Sequence, residues 1–245
     1  TVVSSTALAK EPFLELSEEV DKAAEAEATP KSLVEKILKT KKDLKDKYGT
    51  SIAFLINSQI QSALYAKTNE GKSRLSWYYN VALEQKLWSG ASVDFEFKGG
   101  HNKGIDKLLP TFSGLNSNAG EPSYAYITKF YLKQQIFEKK LFLAAGRLDL
   151  SDWFDANKAA GSGDKQFLSA SLANNLIIPF PQKGLGAMAK FKPIDWFYFQ
   201  AGASDAKSIS TRVGLDNSFR GTFFINEFGI SPKIRGFQGN YRFII

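Results

Sequence analysis

From residue 49 to residue 245, apolar and polar positions alternate in nine runs separated by breaks. In residues 51–64, Ile52, Phe54, Ile56 and Ile60 share one face, and Asn57, Gln59 and Gln61 the other. Leu75, Trp77, Tyr79, Val81, Leu83 and Leu87 oppose Arg74, Ser76, Asn80, Glu84 and Lys86. Val93, Phe95 and Phe97 oppose Ser92, Asp94, Glu96 and Lys98. Tyr124, Tyr126, Phe130, Leu132 and Ile136 oppose Lys129, Tyr131, Lys133 and Gln135. Shorter or weaker runs follow at 141–147, 185–192, 196–203, 222–230 and 237–245. A period of two is the signature of strands with two chemically different faces.

The breaks carry a second alternation. Those at 89–90, 138–139, 193–195 and 231–235 are short, whereas those at 66–72, 99–122, 149–183 and 204–220 are long, and the two kinds strictly take turns. A strand meander sorted in this way has all its tight turns at one end and all its loops at the other. Outer-membrane barrels are built so, with turns toward the periplasm and loops outside. Most runs approach or exceed the roughly 9–11 residues that a tilted strand needs to cross a bilayer. The fold class expected is therefore all-β, an antiparallel transmembrane β-barrel with an N-terminal helical segment. A ninth strand would leave an open edge in lipid, where unpaired backbone groups are costly. Residues 49–245 are thus expected to be an incomplete barrel, with the chain continuing beyond Ile245.

Residues 1–48 read as a separate, helical periplasmic segment. Residues 10–28 are rich in Ala and Glu, which favour helix. Thr29 and Pro30 fit an N-cap and first helical position, and Gly49 a C-cap. Between them Leu33, Val34, Ile37, Leu38 and Leu44 form one apolar stripe among seven lysines. Such a helix could pack on its own domain, lead into the first strand, or associate with a partner. At the start, Ala7 and Ala9 match a signal-peptidase pattern without the upstream regions of a signal peptide.

Composition agrees with this picture. A mean hydropathy of -0.24 and short apolar runs, such as Leu176 to Ile178, rule out a membrane helix, which needs about 20 apolar residues. A barrel needs far less, because only alternate residues meet lipid. Aromatics at 13% fit lipid-facing bands and interfacial girdles, or equally a large β-core. The net charge of +7 comes without a basic patch interleaved with exposed aromatics, so no nucleic-acid partner is expected. Cysteine is absent and His101 is the one histidine. No nucleophilic triad, clustered metal site or phosphate loop can be assembled, and neither enzyme activity, cofactor nor metal is expected.

The stretch with most chemistry is Gly146-Arg-Leu-Asp-Leu-Ser-Asp-Trp-Phe-Asp155, which leaves the fifth strand for the longest loop. This stretch resembles the carbohydrate-selective outer-membrane porins. The resemblance extends through Asn174, Asn175, Pro179 and Pro181 to the runs 184–193, 196–205 and 223–229, and back to 44–61. It implies the N-terminal half of a barrel of about sixteen strands, usually trimeric, that passes sugars by diffusion across the outer membrane. Carried over by position, Arg147, Asp149, Asp152 and Trp153 would stand at the constriction, with Lys129, Lys133, Lys190 and Lys192 along the wall. Charged groups there would hydrogen-bond sugar hydroxyls, and the Trp153 ring would stack on a pyranose. Asp94 and Glu96 share a face and would line the lumen with them. Asp149 and Asp152 could instead cap the turn. The lysines leave an anion-preferring or general porin open. A soluble or surface β-rich binding protein is the other class, and it would turn Trp77, Tyr79, Phe95, Phe97 and Phe130 inward.

Overall fold

The computed structural model describes residues 31–65, 67–101, 103–109, 111, 114–116, 120–156, 166–173, 175–213 and 220–245. The expected helix at 10–28, the Thr29–Pro30 cap, the pattern at Ala7 and Ala9, and Asn174 lie outside the described residues.

Helix α1 (Lys31–Tyr48) leads into one antiparallel meander. Its strands are β1 (Thr50–Ser62), β2 (Ser73–Trp88), β3 (Ala91–Gly100), β4 (Tyr126–Ile136), β5 (Leu141–Leu148), β6 (Gly184–Ile194), β7 (Phe197–Asp205) and β8 (Thr222–Ile230). A small hairpin, β9 (Lys233–Ile234) with β10 (Phe237–Gln238), precedes the ninth strand of the sheet, β11 (Tyr241–Ile244). From β1 to β8 each strand pairs with the next in sequence, β11 pairs with β8, and β1 and β11 are the two edges of the sheet. Gly49 ends α1 at φ +67 and donates its N–H to the Lys45 carbonyl, 3.1 Å away, a left-handed cap that glycine reaches without a Cβ penalty.

Some boundaries and one register differ from the sequence reading. The turn after β6 is Asp195–Trp196, because Pro193 and Ile194 are still in the strand. The last strand starts at Tyr241 rather than Phe237, since the β9–β10 hairpin takes up the preceding residues. The register difference concerns β4. Glu96 pairs with Lys129 but Phe97 with Ile127, so Thr128 is an extra residue in the ladder. This bulge puts Thr128 and Lys129 on one side and reverses the alternation before it. Tyr126, expected beside Phe130, consequently faces with Lys98 instead.

The sheet's two faces are inverted relative to a water-soluble protein. Phe54, Ile60, Trp77, Phe97, Phe130, Phe224 and Phe228 are exposed, and Tyr79 and Phe95 on the same face are only half-buried. The opposite, inner face buries Ser76, Asn80, Ser92, Asp94, Glu96, Thr128, Lys129, Gln200 and Glu227. Bare aromatics beside covered carboxylates fit lipid outside and a polar interior. Trp88, Phe137 and Trp196 are exposed at the turn end, and Trp77 and Tyr124 toward the loop end. Those are the places where aromatic girdles meet the bilayer surfaces.

The apolar core lies on the inner face, under the loop that follows β5. Tyr131, Phe142, Ala144, Leu148, Met188 and Ile225 come from β4, β5, β6 and β8, and Leu150, Trp153 and Phe154 from the loop. Gly202 on β7 makes room for it: a Cβ there would stand 2.8 Å from the Phe154 ring and 2.9 Å from Leu150. The loop is thereby drawn inward across the sheet.

Candidate functional site

Because β2, β3 and β4 place every second side chain on the inner face, acids and lysines meet there in cross-strand pairs. Lys133 Nζ is 2.9 Å from Asp94 and 3.1 Å from Glu84, which also accepts from Ser92 Oγ at 3.1 Å. Lys129 Nζ is 3.6 Å from Glu96 and 2.7 Å from Asp152. Glu96 also accepts from Thr128 Oγ1 at 2.5 Å and lies 3.7 Å from Lys183. Toward the loop end, Lys98 pairs with Glu121 at 2.5 Å and sits 4.4 Å above the Tyr78 ring. The Tyr126 hydroxyl donates to the same Glu121 at 2.5 Å. The bulge at Thr128 is what makes this ladder continuous, since it turns Tyr126 and Lys129 to one face.

Five carboxylates (Glu84, Asp94, Glu96, Glu121 and Asp152) thus face four ammonium groups (Lys98, Lys129, Lys133 and Lys183). Within this ladder the balance is -1. Pairing of this kind leaves many hydrogen-bonding groups along β2, β3 and β4 without a strong local field for either sign of ion.

The far side of the inner face has a different anchor. Glu227 on β8 accepts from the Tyr198 hydroxyl, from Gln200 Nε2 at 3.1 Å, and from the Asp155 N–H at 2.9 Å. Gln200 Nε2 also donates to the Trp153 carbonyl at 2.8 Å. Strands β7 and β8 therefore hold the inward loop by its backbone. Across the sheet, Asn116 in the loop after β3 donates to Gln59 at 2.5 Å and Gln61 at 2.7 Å on β1. Ser169 Oγ donates to the Gly114 carbonyl at 2.9 Å, joining the two long loops to each other. Loops pinned at both walls and to each other narrow the space that the inner face borders.

The residues singled out in the sequence divide into groups. Lys129, Lys133, Asp94, Glu96 and Asp152 come together in the charge ladder. Asp149 caps the turn it starts: its Oδ1 accepts from the Ser151 N–H at 3.0 Å and the Ser151 hydroxyl at 2.6 Å. Trp153 is buried, edge-on to Tyr131 at 5.6 Å and tilted against Phe142 at 6.2 Å, so neither ring face is open for a sugar. Arg147 lies opposite Phe130 and spends its guanidinium on the carbonyls of Ile127 (3.2 Å), Ile209 (3.3 Å) and Ser210 (2.5 Å). It latches the loop after β7 to the β4 bulge. Lys190 lies 4.3 Å over the Tyr198 ring, and Lys192 pairs with exposed Asp195 at the turn end, 3.2 Å away.

Sequence reasoning passed over Glu84, Glu121, Lys183, Tyr198, Gln200 and Glu227 as site residues. A signal existed for Glu227, a lone carboxylate between Ile225 and Gly229 on a strand's inner parity. Glu121 and Lys183 come from loops, and no periodicity could place them. Among the described residues, no three metal-ligating side chains cluster.

Comparison with known proteins bears on this arrangement. The family model described as carbohydrate-selective porin, OprB family, matches residues 85–245. The high-pH structure of Pseudomonas putida OprB aligns with TM-score 0.65 and 19% identity, over 84% of this chain and 53% of that one. The low-pH structure of Pseudomonas putida OprB aligns with TM-score 0.49 and 18% identity, over 89% of this chain and 59% of that one. The chain thus spans little more than half the length of either. Comparison with curated proteins finds no match.

Proposed function

The chain belongs to the carbohydrate-selective porin, OprB family, and on that premise we propose that it forms part of the wall of a passive outer-membrane channel for small neutral hydrophilic solutes, sugars foremost. Family membership implies a channel component rather than an enzyme. In this reading residues 49–245 are barrel wall, residues 1–48 a periplasmic segment, and the assembled protein a homotrimer in outer-membrane lipid.

One observation carries the choice of solute. The inner wall is dense in hydrogen-bonding groups, yet Lys98, Lys129, Lys133 and Lys183 are each matched by carboxylates at 2.5–3.7 Å. Rings of one charge sign select ions. A paired wall offers donors and acceptors to hydroxyls and gives chloride little preference over sodium. That weakens the anion-preferring alternative, which rested on the lysines alone. The soluble alternative loses its support as well, because Trp77, Phe97 and Phe130 lie exposed on the outer face.

The pore-lining roles of Lys129, Lys133, Lys190, Asp94, Glu96 and Asp152 belong to this proposal. Asp149, Trp153 and Arg147 support the constriction from behind by shaping and holding its loops. Liposome swelling tests the reading. Purified full-length protein in liposomes should admit hexoses and exclude large oligosaccharides. Liposomes that swell no faster than protein-free ones would remove it.

A further inference from the structure

Helix α1 is bound to the sheet at one end, and its apolar stripe is only partly covered: Val34, Leu38 and Leu44 are half-buried, while Ile37 and Tyr48 are exposed. Its last residue accepts a hydrogen bond from Gln85 Nε2 at 2.9 Å, and the Gly49 carbonyl accepts from the Lys86 N–H at 2.9 Å. Thr50 Oγ1 adds a 2.6 Å bond to Gln85. These ties hold the helix beside the turn end of β2, at the level of exposed Trp88. Trp88, Phe137 and Trp196 mark that level as a bilayer surface.

Along the helix Val34, Ile37, Leu38, Leu44 and Tyr48 fall on one side, with Lys41 and Lys45 among them. Ile37 is 52% exposed and Tyr48 68%. The other faces carry most of the charge. Across Lys31–Tyr48 there are seven lysines (31, 36, 39, 41, 42, 45 and 47) against Glu35, Asp43 and Asp46, a balance of +4. A narrow apolar stripe, lysine flanks and low overall hydrophobicity suit a helix that lies in a membrane interface.

We propose that α1 docks on the periplasmic leaflet of the same membrane that holds the barrel, with Ile37 and Leu38 between headgroups and the lysines on anionic phospholipid phosphates. The occupant is an anionic lipid surface rather than a second copy of the chain. The +4 balance would repel an identical helix, whereas it complements phosphatidylglycerol. The geometry agrees, because the Gly49 junction holds the C-terminal end of the helix at the aromatic level. Docking would brace the first strand from outside the barrel. The inference rests on the barrel reading given above.

The chain lacks cysteine, so single probes can be placed without removing any. Full-length protein carrying Ile37→Cys, labelled with an environment-sensitive fluorophore, is reconstituted in phosphatidylethanolamine–phosphatidylglycerol bilayers and in phosphatidylcholine alone. A blue-shifted emission and quenching by lipid-borne quenchers are expected in the first, with loss of both in the second and in high salt. A Glu35→Cys probe should remain in water throughout. Replacing Lys39 and Lys42 with Glu should lower the docked fraction about fivefold or more per charge removed. A Phe130→Cys probe on the outer face reports the barrel itself. If that probe is in lipid while the Ile37→Cys probe stays in water in every bilayer, this inference falls and the barrel reading stands. Were Phe130→Cys also in water, the barrel reading would fall first. Burial of Ile37→Cys that follows protein density and ignores lipid charge would assign the stripe to a second copy and overturn the proposal.

Discussion

Lys129 Nζ on β4 lies 2.7 Å from the carboxylate of Asp152 in the loop that leaves β5. The pair joins the wall to the segment that crosses it, and both side chains are largely buried, 6% and 13% exposed. Lys129 simultaneously faces Glu96. Loop position and wall charge are therefore set by one contact, and changes at either residue should show in both conductance and selectivity.

Removing one partner of a buried ion pair leaves an uncompensated charge, typically at about 3–5 kcal/mol. Lys129→Met takes a 2.7 Å partner from Asp152 and a lysine from Glu96, so it is expected to destabilise the loop more than Asp152→Asn. The double replacement should be less damaging than the sum of the two. A double-mutant cycle on the temperature at which the folded band is lost in SDS gels would show the coupling.

Neutralising acids rather than lysines should move ion preference. Asp94→Asn with Glu96→Gln leaves Lys129, Lys133 and Lys183 with fewer counter-charges. The zero-current potential in a potassium chloride gradient is expected to shift toward the chloride value. Lys133→Gln should shift it toward potassium.

Trp153 acts as a wedge under the loop, so its loss should matter to stability first. Trp153→Ala is expected to cost about 3–5 kcal/mol, as large-to-small core changes do. The loop should loosen and channel noise increase. If Trp153 were instead a sugar platform, the variant would keep its heat resistance and lose only sugar block.

Gly202 gives a sharper version of the same test. Gly202→Val brings a branched side chain into the space where even a Cβ would meet Phe154 at 2.8 Å. Overpacking commonly costs about 1–3 kcal/mol. The expected outcome is a displaced loop with raised conductance, and Phe154→Ala in the same chain should restore much of the stability.

The outer face can be tested independently. Phe130 is half exposed among Phe95 and Leu132. Phe130→Arg should lower folding stability in bilayers by about 2–4 kcal/mol if it lies near the midplane. A urea titration in phospholipid vesicles would measure that loss, and an unchanged midpoint would argue against lipid contact.

The lipid-facing band was legible in the sequence because strand parity is a local property. Phe54, Trp77 and Phe97 need only their own strand to reveal their side. Parity failed where one residue was inserted, at Thr128, since nothing in Tyr126 to Phe130 announces a bulge. Candidate wall residues on strands, such as Asp94, Lys129 and Lys133, could likewise be chosen from alternation. The inward path of the loops could not. Asn116 reaches Gln59 across 57 residues of chain, and Glu227 reaches the Asp155 N–H across 72. Such contacts follow from sheet order, not from spacing. Trp153 shows the limit most clearly: aromatic character fits both a stacking platform and a buried wedge, and only the packing around Tyr131 and Phe142 distinguishes them.

The most direct test of a charge-balanced wall is single-channel recording of the full-length protein in a planar bilayer, under a salt gradient, with a neutral hexose or disaccharide titrated in. A charge-balanced wall predicts a zero-current potential close to zero and a current that falls as sugar is added. A potential near the chloride limit, with a current that sugar leaves unchanged, would contradict it.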